Sequence, residues 1–298
     1  MSLLNFRRAL RPAPPPLAEF LQGCSIEVMP RTAAKIEDFR PLLAPGTRVY
    51  IAHIAGTEIA EMIRTAVRLR AEGLEPMPHF PARVLRDRRM LEDLVARYRG
   101  EADVRQALLL GGSPTRPEGA FHSSMQLLET GLFDGFERLH VAGHPEGNRD
   151  IDPTGGEGII MAALRWKADF AERSDAAMAI VTQFAFDAAP VIAWTERLRT
   201  AGIDLPVHVG LAGPAKLQTL IRFAVACGVG PSLKVLQRRA RDVSKLVKPF
   251  EPTDLAATLA AHKAAHPDSP IAAAHVFPLG GIGAGAHWIT AHSASKTE

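Results

Sequence analysis

The residues of this chain that could do chemistry are a carboxylate, scattered histidines, a strand amide and two glycine-containing turns. Glu27 lies between Ile26 and Val28 in the apolar run 25–30 (SIEVMP). In a strand it faces opposite to both neighbours. A carboxylate turned into a partly desolvated mouth favours its protonated form, which suits a general acid. A structural glutamate paired with an arginine satisfies the same pattern. His79 stands late in an apolar run beside Pro78, where it either meets a ligand or fills space. Gly111-Gly112-Ser113 closes another run. Glycine there lets a flat or phosphorylated ligand approach the backbone, and it also serves an ordinary turn. Residues 142–147 (AGHPEG) put His144 and Glu146 around a proline-stiffened turn. Gln183 sits in the apolar run 178–187 (MAIVTQFAFD). A buried amide needs a partner, either a ligand with donors and acceptors on one edge or a structural network. Phe223 falls on a helical stretch and by default is core. No HxxEH, CxxC or G-x-S-x-G pattern is present, so a metal site or a nucleophilic hydrolase is not indicated.

The elements that must position these residues alternate. Short β-rich runs begin near residues 25, 48, 75, 104, 138, 178, 205 and 271. Each is followed by an amphipathic stretch: 34–43, 58–72, 86–98, 123–130, 157–172, 190–201, 215–227 and 284–291. Two further helical stretches, 232–246 and 253–265, precede the last strand. Eight βα units over roughly 250 residues predict one α/β domain, a (β/α)8 TIM barrel. The alternative, an open doubly wound sheet, usually carries a glycine-rich turn after its first strand. Here that position reads Pro30-Arg31-Thr32. The predicted division is a lead-in over 1–21, with the proline-rich 11–17 extended, and the catalytic barrel over 22–298.

Composition narrows the function classes. Of 298 residues, 47% are hydrophobic and 22% charged, with a formal net charge of +3. Basic residues are dispersed except at 237–248, which reads as a solvated helix face. A clustered nucleic-acid stripe is not expected. Two isolated cysteines, Cys24 and Cys227, make neither a disulfide framework nor a zinc site, and a reduced cytoplasmic setting is expected. The first twenty residues lack the apolar core of a secretory signal, and no run is long enough to span a membrane. Oligomeric state is not readable.

Taken in order, the motifs resemble the methylenetetrahydrofolate reductase family. Residues 25–32 (SIEVMPRT) resemble its first strand, F-E-F-F-P-P-R-T, with one proline fewer. Ala142-Gly143-His144-Pro145-Glu146 resembles its G-Y-P-E turn. Residues 181–187 (VTQFAFD) resemble its I-T-Q-F-F-F-D strand, and Ala201-Gly202-Ile203 with the VHVGLAG that follows resembles the next. The resemblance implies a flavin-containing barrel that reduces 5,10-methylenetetrahydrofolate with NAD(P)H. It implies Glu27 as the general acid and Gln183, Phe223 and Ser113 as substrate contacts. Thr57, His79, Gly111, Gly112, His144, Glu146 and Lys167 would line the FAD path.

There are departures. The family's Arg-Gly-Asp after strand four is Gly111-Gly112-Ser113 here, and its strand-five tyrosine and following histidine are His144 and Asn148. The expected consequence is FAD held more loosely, or hydride passed directly from NAD(P)H. The rival expectations are a folate-dependent methyltransferase or lyase, which would need a corrinoid or zinc partner, and a non-catalytic folate- or flavin-binding protein.

Overall fold

In the computed structural model, residues 15–54, 56–227, 236 and 249–293 are described. Eight parallel strands close into a barrel in sequence order: β1 (Ser25–Val28), β2 (Arg48–Ile51), β3 (Glu75–Pro81), β4 (Gln106–Leu110), β5 (Arg138–Gly143), β6 (Ala177–Ala185), β7 (Val207–Ala212) and β8 (Ile271–Phe277). Helices α3 (Ile59–Ala71), α4 (Arg88–Ala102), α5 (Ser124–Leu128), α6 (Gly158–Ala171), α7 (Ala188–Thr200) and α8 (Leu217–Ala226) follow strands two to seven. Helix α9 (Thr253–Ala265) precedes β8, and α10 (Ile282–Ser293) follows it. The expected barrel is therefore present, with one of the two extra helices before the last strand at its expected place. The other, with the basic run 237–248, lies mostly outside the described residues.

The main core fills the layer between strands and helices. Ile26, Val28, Val49 and Ile51 face outward into it with Trp194, Leu198 and Leu259. The barrel interior differs. Barrels of this class are mostly filled with branched aliphatic side chains. Here a small apolar cluster (Tyr50, Met77, Leu108, Val181) shares the interior with buried His140, His275 and Ser25. A polar floor lies beneath it: Arg48 Nε donates to Gln106 Oε1 (2.7 Å), and Gln106 Nε2 donates to Glu75 Oε2 (3.2 Å).

Two local expectations are corrected. The proline-rich lead-in, where described, is helical: α1 (Pro15–Phe20) starts with prolines, tolerated in a first helical turn. It buries Leu17, Phe20 and the adjoining Leu21 in the main core and packs on α9 and α10. Residues 34–43 form no helix beyond the short α2 (Pro30–Ala33). Side chains from α3 and its C-terminal end take up their backbone groups instead. Arg68 donates to the carbonyls of Ala33, Ile36 and Glu37, and Glu72 accepts from Phe39 N–H. Tertiary hydrogen bonds there replace the helical ladder.

The β6–β7 pairing shifts register between Val181 and Phe184. Thr182 Oγ1 accepts from Gly210 N–H (2.9 Å) and donates to Gln183 O (2.8 Å), closing the bulge. A Cβ at residue 210 would stand 2.5 Å from Gln183 O, so only glycine allows this approach. Gly210→Ala should therefore destabilise the fold by about 1–3 kcal/mol or more, the usual range for forced overpacking. Urea denaturation checks this; an unchanged midpoint would show that the bulge yields freely.

Candidate functional site

Parity decides what faces the barrel mouth. Glu27 faces inward, opposite Ile26 and Val28, as expected, and is half-buried. Its partners are histidines rather than an arginine. Glu27 Oε2 lies 3.3 Å from His79 Nε2 and 3.9 Å from His275 Nε2. The His79 contact is close enough for an ion pair, yet its direction makes no hydrogen bond, and His79 Nε2 has no hydrogen-bond partner among the described residues. His79, expected along the flavin path, thus stands beside the acid itself. After β1, Thr32 Oγ1 accepts from Met29 N–H and donates to Met29 O, which shapes the turn at the mouth.

Across from this polar edge is an apolar wall. Phe184, Phe186, Ala212, Leu217, Leu220 and Phe250 form a separate buried cluster, with Phe223 and Phe277 half-buried against it. Phe277 bridges the two sides, with ring centroids 5.5 Å from Phe184 and 4.6 Å from His275. Gln183 emerges from the β6 bulge half-buried, and its amide makes no hydrogen bond with the described residues. Bulges commonly re-aim a side chain beside an active site. The mouth therefore has a carboxylate with two imidazoles on one side, phenyl rings on the other, and an amide without a partner among the described residues.

A second group lies beyond β5. Lys167 of α6 is buried and has no ion pair or hydrogen bond with the described residues; burial lowers its ammonium to about 8. Beside it, burial first and then the Lys167 charge bring His144 down to about 4, so this imidazole is neutral near pH 7. Asn148 lies within hydrogen-bond reach of His144 Nδ1 (3.5 Å). Glu146 is half-buried in the same turn, and Thr57 lies in the loop after β2.

The strand-four turn is explained by packing. Gly112 has φ +93°, and a Cβ there would stand 2.9 Å from Pro81 Cβ. A Cβ at Gly111 would meet Arg83 and His122 only at ordinary contact distance, so its missing side chain is not forced by space. Ser113 is exposed. Arg83 ties this loop down by donating to His122 O and Pro114 O.

Sequence reasoning missed Tyr50, His53, His140, His208 and His275. His53, half-buried after β2, is lowered by burial and by His79. The other four occupy inward positions of their strands, and strand parity was the signal available. Among the described residues no group of three or more His, Cys, Asp or Glu is placed to hold a metal ion, and no helix is long and apolar enough to cross a membrane. A surface hollow of about 350 Å³ lies at the opposite end of the barrel, lined by Arg199, Asp204, Lys263 and Asp268. Its charges include the Arg199–Asp268 ion pair (3.8 Å), and chemistry in this fold collects at the other, C-terminal face.

The Lys167 environment makes a prediction. Its folded pKa, about 8, lies below the ordinary 10.5, so the unfolded chain binds more protons between these values and stability rises with pH across that window. A tenfold change in proton affinity corresponds to about 1.4 kcal/mol. Lys167→Met should lose this slope and be the more stable protein at pH 7. Urea melts of both proteins at pH 7 and 10 test it; parallel pH dependence would show that the ammonium is solvated in the fold.

No family model matches the sequence. Methylenetetrahydrofolate reductase 1 of Schizosaccharomyces pombe is 32% identical over 141 residues, covering 43% of this chain and 21% of that protein. The chain spans about a fifth of the length of the curated relative it matches. Among solved structures, a Clostridium thermocellum protein that binds two copies of 5-methyl-5,6,7,8-tetrahydrofolic acid aligns with a TM-score of 0.57 at 9% identity, over 92% of this chain and 97% of that one. At that identity the likeness concerns the fold. Over less than half of its length the chain is thus similar to a methylenetetrahydrofolate reductase, and its closed barrel is the fold that the motif resemblance implies.

Proposed function

We propose that this chain interconverts 5,10-methylenetetrahydrofolate and 5-methyltetrahydrofolate with NAD(P)H. The observation that carries the reading is the Glu27 carboxylate, flanked by His79 and His275 and facing a wall of phenyl rings, with the Gln183 amide on the bulge of β6. A pterin is flat, with one face to stack and one edge rich in donors and acceptors. Phe223 and Phe277 offer the stacking surface, and Gln183 offers both a donor and an acceptor to the edge. Glu27 gives its proton to a ring nitrogen of the one-carbon bridge, opening the bridge to an iminium cation. Hydride then reduces that carbon to a methyl group. In the reverse direction the carboxylate takes the proton back.

FAD is the cofactor this reading favours. When bound it would relay hydride between nicotinamide and folate. The fit is partial. Lys167, buried beside neutral His144 and without a carboxylate partner among the described residues, suits a phosphate oxygen. Thr57, Glu146 and the backbone at Gly111 and Gly112 would line the remainder of the path. Ser113 and Gly111 offer no charge at the ring end, so FAD should bind loosely. Titration of the protein with FAD, followed by flavin fluorescence, should saturate in the micromolar range and weaken in Lys167→Met. No saturable change would move the hydride donor to NAD(P)H itself, with Glu27 keeping its role.

Glu27→Gln should retain the fold and folate binding and lose about 10²–10⁴-fold in NAD(P)H oxidation driven by methylenetetrahydrofolate. Wild-type-like turnover in that variant would remove Glu27 from the chemistry. Gln183→Ala should raise the folate KM more than it lowers the melting temperature, since its amide makes no hydrogen bond with the described residues. Tight folate binding with no turnover by the wild-type protein would favour a binding protein instead.

A further inference from the structure

The barrel axis contains a continuous run of polar side chains that ends on Glu27. Starting at the mouth, His275 Nε2 lies 3.9 Å from Glu27 Oε2, and His275 Nδ1 lies 2.9 Å from Ser25 Oγ. Tyr50 stands beside Ser25, and its ring packs on that of His275 with centroids 4.3 Å apart. Tyr50 Oη hydrogen-bonds His140 Nδ1. His140 packs edge-on against His208, with centroids 4.7 Å apart. His208 is the second residue of β7, at the N-terminal end of the barrel, and it is half-buried rather than sealed. Its Nδ1 has no hydrogen-bond partner among the described residues. Ser25, Tyr50, His140 and His275 are all fully enclosed.

These groups share a property that aliphatic filling lacks. Each hydroxyl is both donor and acceptor, and each neutral imidazole carries its proton on either nitrogen. The histidines are held neutral. Burial is the main cause for His140, His208 and His275, and the Arg48 charge adds to all three. Arg138 adds at His140 and His208, and Lys263 at His208. The hydrogen bonds can therefore run in either of two directions. In one, His140 Nδ1–H donates to Tyr50, the Tyr50 hydroxyl turns toward Ser25, and Ser25 donates to His275 Nδ1, which leaves His275 Nε2–H facing an ionised Glu27. In the other, every bond is reversed, and a protonated Glu27 donates to His275 Nε2.

We propose that Ser25, Tyr50, His140, His208 and His275 form a proton wire along the barrel axis that reloads Glu27 from the N-terminal face while ligands fill the mouth. The inference rests on the reading of Glu27 as the acid of folate reduction. The balance is one proton in and one out, with no electrons moved. His275 Nε2 passes its proton to the Glu27 carboxylate, and Ser25 passes its hydroxyl proton to His275 Nδ1. Tyr50 then reprotonates Ser25, and His140 Nδ1 reprotonates Tyr50. A solvent proton arriving through His208 binds His140 Nε2. The three longer steps, His208 to His140, Tyr50 to Ser25 and His275 to Glu27, close through a bridging water or a small side-chain rotation. Six titratable groups face the two ends: His79, Cys227 and Tyr50 around Glu27, and Arg48, Arg138 and Lys263 around the lower histidines.

The wire predicts that the tautomer of His140 follows the charge of Glu27, with Tyr50 and Ser25 as the only link. The test is a pH titration of the full chain by NMR, with ¹⁵N in the imidazoles and ¹³C in the glutamate carboxyls. In the wild type, the His275 and His140 nitrogens should switch tautomer at the midpoint of the Glu27 carboxyl. In Tyr50→Phe, His275 should still follow Glu27 while His140 stays fixed, and Glu27→Gln should abolish the midpoint at both histidines. Should Tyr50→Phe fail to fold, Ser25→Ala breaks the chain one link higher and should uncouple His140 in the same way. An unresponsive wild-type His140, or one that follows Glu27 equally in the broken variants, would overturn the wire. With folate, kcat of Tyr50→Phe should fall by part of the ~10²–10⁴-fold a general acid supplies, at unchanged KM. Coupling without any folate turnover would refute the folate reading and leave the wire standing. Folate turnover without coupling would do the reverse.

Discussion

The site depends on one constraint: a carboxylate on the inward parity of a strand in a closed barrel. Closure leaves no sheet edge and little water around Glu27, so its partners must come from the neighbouring strands. They do so from β3 on one side and β8 on the other, through His79 and His275. An arginine would lock such a carboxylate as an anion. Imidazoles can meet it in either protonation state, which is what a group that must give and regain a proton requires.

That choice extends inward. Buried imidazoles and hydroxyls are costly unless satisfied, and these are satisfied mostly by one another rather than by backbone. The floor of Arg48, Gln106 and Glu75 lies beneath the polar column beside His208, and the Arg48 charge helps to keep the histidines neutral. The same strands bury Ile26, Val28, Val49 and Ile51 on their outer faces, so apolar packing lies outside the barrel and the polar side chains inside it. The β6 bulge is the other specialised device. Thr182 and Gly210 together let Gln183 leave the regular ladder toward the mouth without stranding a backbone amide.

Much of this is legible in the sequence. The alternation of β-rich and amphipathic runs puts eight strands in the right places, and parity turns Glu27 inward. The misses have physical causes. Residues 34–43 have helical spacing, but Arg68 and Glu72, more than thirty residues away, supply competing hydrogen bonds. The stretch from Pro15 reads as extended until Leu17, Phe20 and Leu21 are seen to share a buried face. His140, His208 and His275 each look like lone core histidines in apolar strands. Only closure of the barrel brings them together. Gly112 reads as room for a ligand, whereas its positive φ and the nearby Pro81 already require glycine. The basic run 237–248 lies outside the described residues.

The central claim is that Glu27 and its surroundings carry out chemistry on a folate-bound one-carbon unit. Product identification tests it most directly. The protein would be incubated with 5,10-methylenetetrahydrofolate, NAD(P)H and FAD, and the folates separated and weighed by mass spectrometry. The account predicts 5-methyltetrahydrofolate from the wild-type protein and almost none from Glu27→Gln at equal protein concentration. Methylenetetrahydrofolate recovered unchanged from the folded wild-type protein, or methyl product formed equally by both proteins, would contradict it.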